Sequence, residues 1–272
     1  MPDKQFRSTT GKNFRLAAQE PPPFSVLNPQ STKPLILVCD HASRKIPACL
    51  GDMGLDPLTR RCHLAWDIGA GNLTRELAAR LGATAVLGGY SRLVLDCNRE
   101  LTDPSAFLEF GDGVAIPGNV GISDAEKAAR AQALFWPYHH AIESEVRRLA
   151  ATGKKPLMLA IHSFTPVLDG VSRRWQIGVL WDVDSRVSSM LLSRLRQAGY
   201  EVGDNQPYSG RAPQDFTIDH HAEGGGLPHA GLEIRQDQIL QASGVRKVTE
   251  VLAPVITEVM EAVIAPGRRI PA

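Results

Sequence analysis

Short apolar runs alternate along the chain with longer stretches of helical period. Leu35–Cys39, LILVC, has no polar break, which is the pattern of a strand covered on both faces. Similar runs fall at residues 83–87, 92–97, 157–161, 176–181 and 231–235. Residues 63–81 place Leu64, Ile68, Leu73, Leu77 and Leu81 roughly on one side and stop at Gly82, which predicts a helix. A second helix opens with Ser123 and Glu126 as a capping pair and extends to residue 151, with a break or kink expected at Pro137. Residues 184–199 predict a third helix, and 236–261 a fourth, interrupted near Pro254. Residues 98–121 are rich in Gly, Pro and Asp and read as a loop, as do residues 208–226 with some extended pieces. Strand-sized runs separated by amphipathic helices predict a three-layer αβα fold, in which ligands sit beyond the carboxyl ends of the strands.

Bulk properties narrow the class. A chain of 272 residues is long enough to bury a full core in one large domain. The expected division is an N-terminal arm over residues 1–30, either mobile or packed on the body as a strand or lid, and a single catalytic α/β domain over 31–272. A net charge of +1 gives no basic excess for nucleic acid. No apolar run is long enough to span a membrane, and the N-terminus lacks the apolar core of a signal peptide, so a cytoplasmic location is expected. Cys39, Cys49, Cys62 and Cys97 form no CxxC pair and read as reduced thiols. Monomer and homo-oligomer both remain open.

The chemistry concentrates at predicted strand ends. His41 follows LILVCD, and His162 follows LMLAI. Imidazoles at the ends of separate strands can meet on one ion, and a catalytic zinc site takes three protein ligands and leaves a position for water. The plain alternative is two histidines capping strand ends. His63 and Asp67, four residues apart, share a face if the segment is helical, so either can supply the third ligand. Glu233 lies in GLEIRQD, an acid inside an apolar strand, costly unless paired or functional. It is the best candidate for a general base, with an ion pair to Arg235 on the same strand face as the inert alternative. YSRLVLDCNRE supplies Arg92, Asp96, Asn98 and Arg99, and Arg173 and Arg174 precede another strand. Arginine's planar fork suits carboxylates, so several of these would fit a small acidic substrate. Phosphate-binding glycine motifs, GxSxG and HExxH are all absent.

LDCNRE, IHSFTP and GLEIRQD, in that order, resemble three site motifs of the zinc carboxypeptidase superfamily. The blocks LVCDHASRKIP, HLAWDIGA, YSRLVLDCNR, DGVAIPGN, PYHHAI, IHSFTPVLDG, DNQPYSG and EIRQD are more closely similar to the N-formylglutamate amidohydrolase family, a branch of that architecture, over residues 35–239. The resemblance implies an αβα fold with a mixed central sheet of the zinc-exopeptidase (phosphorylase/hydrolase-like) kind. It implies one Zn²⁺ per chain held by His41, His162 and a third residue, with Glu233 as general base and Asn98 with Arg99 on a substrate carboxylate. The carboxypeptidase HxxE motif is not kept, because Arg44 stands three residues after His41. The missing ligand falls to Asp67, which matches an aspartate of the amidohydrolases, with His63 as rival.

The activity so implied is hydrolysis of an N-acyl amide of a small acidic amino acid, N-formyl-L-glutamate giving formate and glutamate. Arg92, or Arg235 if it points inward, would stabilise the developing oxyanion. Arg174, in preference to Arg173, would meet a second carboxylate. The alternatives are an enzyme of the same framework acting on another N-acyl amino acid or peptide, and a non-catalytic module that binds small acids. His139, His140, His220, His221 and His229 are assigned non-ligand roles.

Overall fold

The computed structural model describes residues 14–211 and 215–264. The first thirteen residues of the predicted arm, and residues 212–214 of the second loop, lie outside that range. In chain order the strands are β1 (Phe24–Leu27), β2 (Leu35–Cys39), β3 (Thr84–Gly88), β4 (Phe110–Gly111), β5 (Val114–Ala115), β6 (Leu157–Phe164), β7 (Val167–Leu168), β8 (Val171–Ser172), β9 (Ile177–Leu180), β10 (Val202–Asp204) and β11 (His229–Arg235). The helices are α1 (Ala70–Leu81), α2 (Asp124–Arg130), α3 (Trp136–Ala150), α4 (Arg186–Gln197), α5 (Phe216–Ile218), α6 (Gln236–Ile239) and α7 (Ala242–Ile264). Seven strands form one sheet in the order β1-β3-β2-β6-β11-β9-β10, and β4-β5 and β7-β8 are small separate hairpins. The sheet is mixed: β3, β2, β6 and β11 run parallel, while β1 joins β3 and β9 joins β11 antiparallel.

The alternation of side chains along β2 explains the three layers. Leu35, Leu37 and Cys39 face one way into a core shared with α1, α4 and α7, and Ile36 and Val38 face the other way into a core shared with α3. All five are essentially fully buried, each large aliphatic worth about 1.5–3 kcal/mol of transfer free energy. The described part of the N-terminal segment packs on the body: β1 covers the edge of β3, and Phe14 is buried.

Three departures from the sequence pattern matter for the site. The helix expected over 63–81 begins only at Ala70. Gly69 stands at φ +86°, which favours glycine, and a Cβ there would come within 2.5 Å of the Ile239 carbonyl oxygen; the residues before it form turns. Pro137 does not break its helix. A wider π-type turn at Ala131–Phe135 intervenes, so Pro137 sits in the first turn of α3, where a missing N–H costs little. Residues 92–97 are turns and not a strand. The free edge of β3 is taken by β1, and Leu93, Val94 and Leu95 pack instead with Phe107, Ile116 and Phe135. Side chains satisfy their carbonyls: Asn119 Nδ2 donates to Leu93 O at 2.8 Å and Arg130 to Val94 O at 3.0 Å.

Candidate active site

Parallel pairing assembles the site at the carboxyl ends of the central strands. Glu233 of β11 stands in register with His162 of β6. His41 leaves the end of β2, the strand on the other side of β6. Asp67 reaches the same place from the turn ahead of α1, where its backbone N–H donates to His41 O at 3.0 Å. The loop between 91 and 99 brings Arg92, Asp96, Asn98 and Arg99 alongside.

The two imidazoles share one acid and have one each of their own. His41 Nδ1 lies 3.4 Å from Asp67 Oδ2, and His162 Nδ1 lies 2.9 Å from the same oxygen. On the far sides, His41 Nε2 lies 2.7 Å from Asp96 Oδ1, and His162 Nε2 lies 3.4 Å from Asp40 Oδ2. One ligand atom from each of His41, Asp67 and His162 falls within 4.8 Å of the others, and all three side chains are buried. A carboxylate behind each imidazole is the arrangement that fixes the tautomer and orientation of a metal-ligating histidine. Arg92 donates to the other oxygen of Asp67, leaving Oδ2 to the imidazoles.

This donor set fits a divalent ion. His41 Nδ1, on the side of the shared Asp67 oxygen, is buried with no hydrogen-bond partner, an arrangement with a cost unless a further group completes it. Asp40, Asp67 and Asp96 also place an excess of buried negative charge around two imidazoles and one guanidinium. Burial works against a protonated His162, yet Asp40 and Asp67 outweigh it and hold the imidazole well above its usual pKa. Burial pushes the Asp96 carboxyl up, and the charge and hydrogen bond of His41 bring it down to about 2. A cation between the rings takes over the role of those protons. His63 stands outside this group of three: its Nδ1 is 2.7 Å from Gln236 Nε2 and 3.8 Å from Asp67 Oδ1, and burial with the nearby Arg92 lowers it to about 4.

Glu233 has a different environment. Its Oε2 is buried without a partner, and no ion pair joins it to Arg235 among the described residues. Burial pushes its carboxyl up to about 7, against the opposing charge of His162. A carboxyl poised near neutrality can take up and release a proton within one catalytic cycle.

A cavity of about 300 Å³ opens on this cluster. His41, His63, Asp67, Arg92, Asn98, Arg99, His162 and Glu233 all line it. Arg174 and Arg235 do not. Arg174 is exposed and paired with Glu201, and Arg235 is held by Asp237 and by the carbonyls of Arg173 and Arg174. Arg173 lies nearer the rim, where it donates to the hydroxyl of the cavity-lining Tyr208. Sequence reasoning passed over Tyr208 and Asp215 in the cavity wall, and over Asp40 as the partner of His162. For Asp40 a signal existed: an acid at the exit of a buried strand, immediately before a candidate ligand.

An αβα sheet carrying a His/Asp/His centre and a buried acid at one rim defines a metal-dependent hydrolase. Residues 33–240 match the family described as N-formylglutamate amidohydrolase. The chain belongs to that family. The gene product Atu2144 from Agrobacterium tumefaciens is 34% identical and superposes with a TM-score of 0.88, over 91% of this chain and 98% of that one. The N-formylglutamate amidohydrolase from Ralstonia eutropha JMP134 shares the fold at 19% identity, with a TM-score of 0.63 over 88% of this chain and 97% of that one. No curated protein matches the chain. No helix among the described residues is long and apolar enough to cross a membrane.

Proposed function

We propose that this protein hydrolyses the N-acyl amide bond of a small acidic amino acid, with N-formyl-L-glutamate as substrate and formate and glutamate as products. The observation that carries the reading is Glu233, which has a buried, unpartnered Oε2 and lines the same cavity as the His41, Asp67 and His162 cluster, one strand from His162. Two nitrogen ligands and one oxygen ligand suit Zn²⁺, and His41, Asp67 and His162 would hold it. When bound, the ion lowers the pKa of water and polarises the substrate carbonyl.

The remaining steps belong to the chain's own side chains. Glu233 accepts the proton from the attacking water. As the C–N bond breaks, it delivers that proton to the leaving nitrogen, so acid and base are one residue. Arg92, beside Asp67, offsets negative charge developing on the amide oxygen. Asn98 and Arg99 grip a substrate carboxylate and so fix the scissile amide relative to Glu233. The Asn98 Oδ1 accepts the backbone N–H of Thr217 at 2.9 Å, which leaves the amide NH₂ as the end that donates, as an anionic substrate requires. We place the enzyme in the cytoplasm: all four thiols are free, including the exposed Cys49 and Cys62.

A panel of N-formyl, N-acetyl and N-succinyl amino acids tests the substrate. N-formyl-L-glutamate is expected to give the highest kcat/KM, above N-formyl-L-glutamine by about two orders of magnitude, the cost of leaving a charged anchor unpaired. Arg99→Ala is expected to reduce that preference mainly through KM. Equal turnover of acidic and neutral substrates, or better turnover of N-acetyl or peptide substrates, would move the assignment to another N-acyl compound on the same framework.

A further inference from the structure

Thr217 lines no part of the cavity, yet it is wholly buried and touches both ends of the site. It lies in α5, after the loop that contributes Tyr208 and Asp215 to the cavity wall. Its hydroxyl donates to Asp40 Oδ1 at 2.5 Å, across 177 residues of chain. The opposite oxygen, Asp40 Oδ2, faces His162 Nε2 at an ion-pair distance of 3.4 Å, and neither of those atoms has a hydrogen-bond partner. The terminal torsion of an aspartate is soft, so a carboxylate aims where its hydrogen bonds hold it. A bond to Oδ1 fixes the direction of Oδ2, and Oδ2 is what confronts the outer nitrogen of a candidate metal ligand. The backbone N–H of Thr217 meanwhile fixes the amide of Asn98.

We propose that Thr217 is a positioning residue that joins the two halves of the site: its hydroxyl aims Asp40 at His162, and its N–H orients Asn98 toward substrate. The proposal rests on the metal-dependent reading above. The hydroxyl acts on the metal end and the N–H on the substrate end, and a side-chain substitution removes only the first. Threonine supplies both the donor and a shape that fills a closed site. Valine keeps the shape and loses the donor, and serine keeps the donor.

The test is zinc affinity, measured by chelator competition on wild type, Thr217→Val and Thr217→Ser, together with steady-state kinetics on N-formyl-L-glutamate. Thr217→Val is expected to bind zinc about 10-fold more weakly, the lower end of what an outer partner of a ligand contributes. Its kcat is expected to fall while KM stays within about twofold, and Thr217→Ser is expected to restore both the affinity and kcat. If Thr217→Val does not fold, the same comparison is made between Thr217→Ala and Thr217→Ser. Wild-type zinc affinity without the hydroxyl would overturn the proposal, and so would a loss shared by kcat, KM and thermal stability that serine fails to restore. A wild-type protein that takes up no zinc would overturn the metal reading and this proposal with it. Zinc binding without turnover of the formyl substrate would count against the substrate alone, since the affinity comparison stands without it.

Discussion

Glu233→Gln is expected to lose 10²- to 10⁴-fold in kcat, about 3–5 kcal/mol of transition-state stabilisation, while still taking up one metal ion per chain. The glutamine keeps the shape and a hydrogen-bonding group on the cavity face of β11, but it cannot accept a proton from water or return one to nitrogen. The ligand group His41, Asp67 and His162 does not include Glu233, so metal content should not change. The same variant has a second signature in chelated protein. Burial raises the Glu233 carboxyl to about 7, from an ordinary value of 4.5 that the unfolded chain retains. Between those pH values the folded protein therefore holds a proton that the unfolded chain has released, and wild-type stability declines as pH rises through that window. Glutamine has no such proton. Melting temperatures measured with chelator at pH 5 and pH 8 should fall further in wild type than in Glu233→Gln. Unchanged turnover in the variant would remove Glu233 from the chemistry.

Asp67→Ala is expected to cost both metal and stability. Its Oδ2 is the atom that the two imidazoles share, and without it two nitrogens remain to hold an ion. Zinc retained after dialysis should fall from about one per chain to near zero, and activity should fall with it. The other carboxylate oxygen pairs with Arg92, whose side chain keeps 19% of its surface in solvent while that of Asp67 keeps 2%. Removing the acid leaves a largely buried guanidinium without its nearest charge, a loss of about 3 kcal/mol, at the low end for a broken buried pair because some solvent reaches it. His162→Ala should lose zinc equally but spare the Arg92 pair, so its unfolding temperature should fall less. Metal content by mass spectrometry and thermal melts on the two variants separate these effects. A zinc-replete Asp67→Ala would pass the third ligand to another residue, His63 first.

The αβα layering was legible in the chain because buried strands carry a local signature. LILVC and LMLAI are apolar throughout, and each is followed within two residues by a histidine that the parallel sheet then delivers to one rim. The register that sets Glu233 beside His162 is a long-range fact, and no local pattern encodes it. The segment 92–97 misled because RLVLDC has the composition of a strand. What denies it a place in the sheet lies elsewhere, in β1 on the edge of β3 and in the Asn119 and Arg130 side chains that take its carbonyls. Arg174 and Arg235 were legible as arginines near strand ends, but which way each side chain turns depends on Glu201 for the first and, for the second, on the neighbouring Asp237 together with backbone carbonyls 61 and 62 residues away. Thr217 carried no signal at all. A threonine in a loop-like stretch gains its meaning only from Asp40, 177 residues away.

His41, Asp67 and His162 are expected to enclose a single ion next to Glu233. Anomalous diffraction at the zinc edge, from crystals of the zinc-loaded protein, locates such an ion. The predicted result is one strong peak per chain, within about 2.0–2.2 Å of a nitrogen of each imidazole and of an Asp67 oxygen. A map with no peak there, or with its peak among His139, His220 and His221 instead, would contradict it.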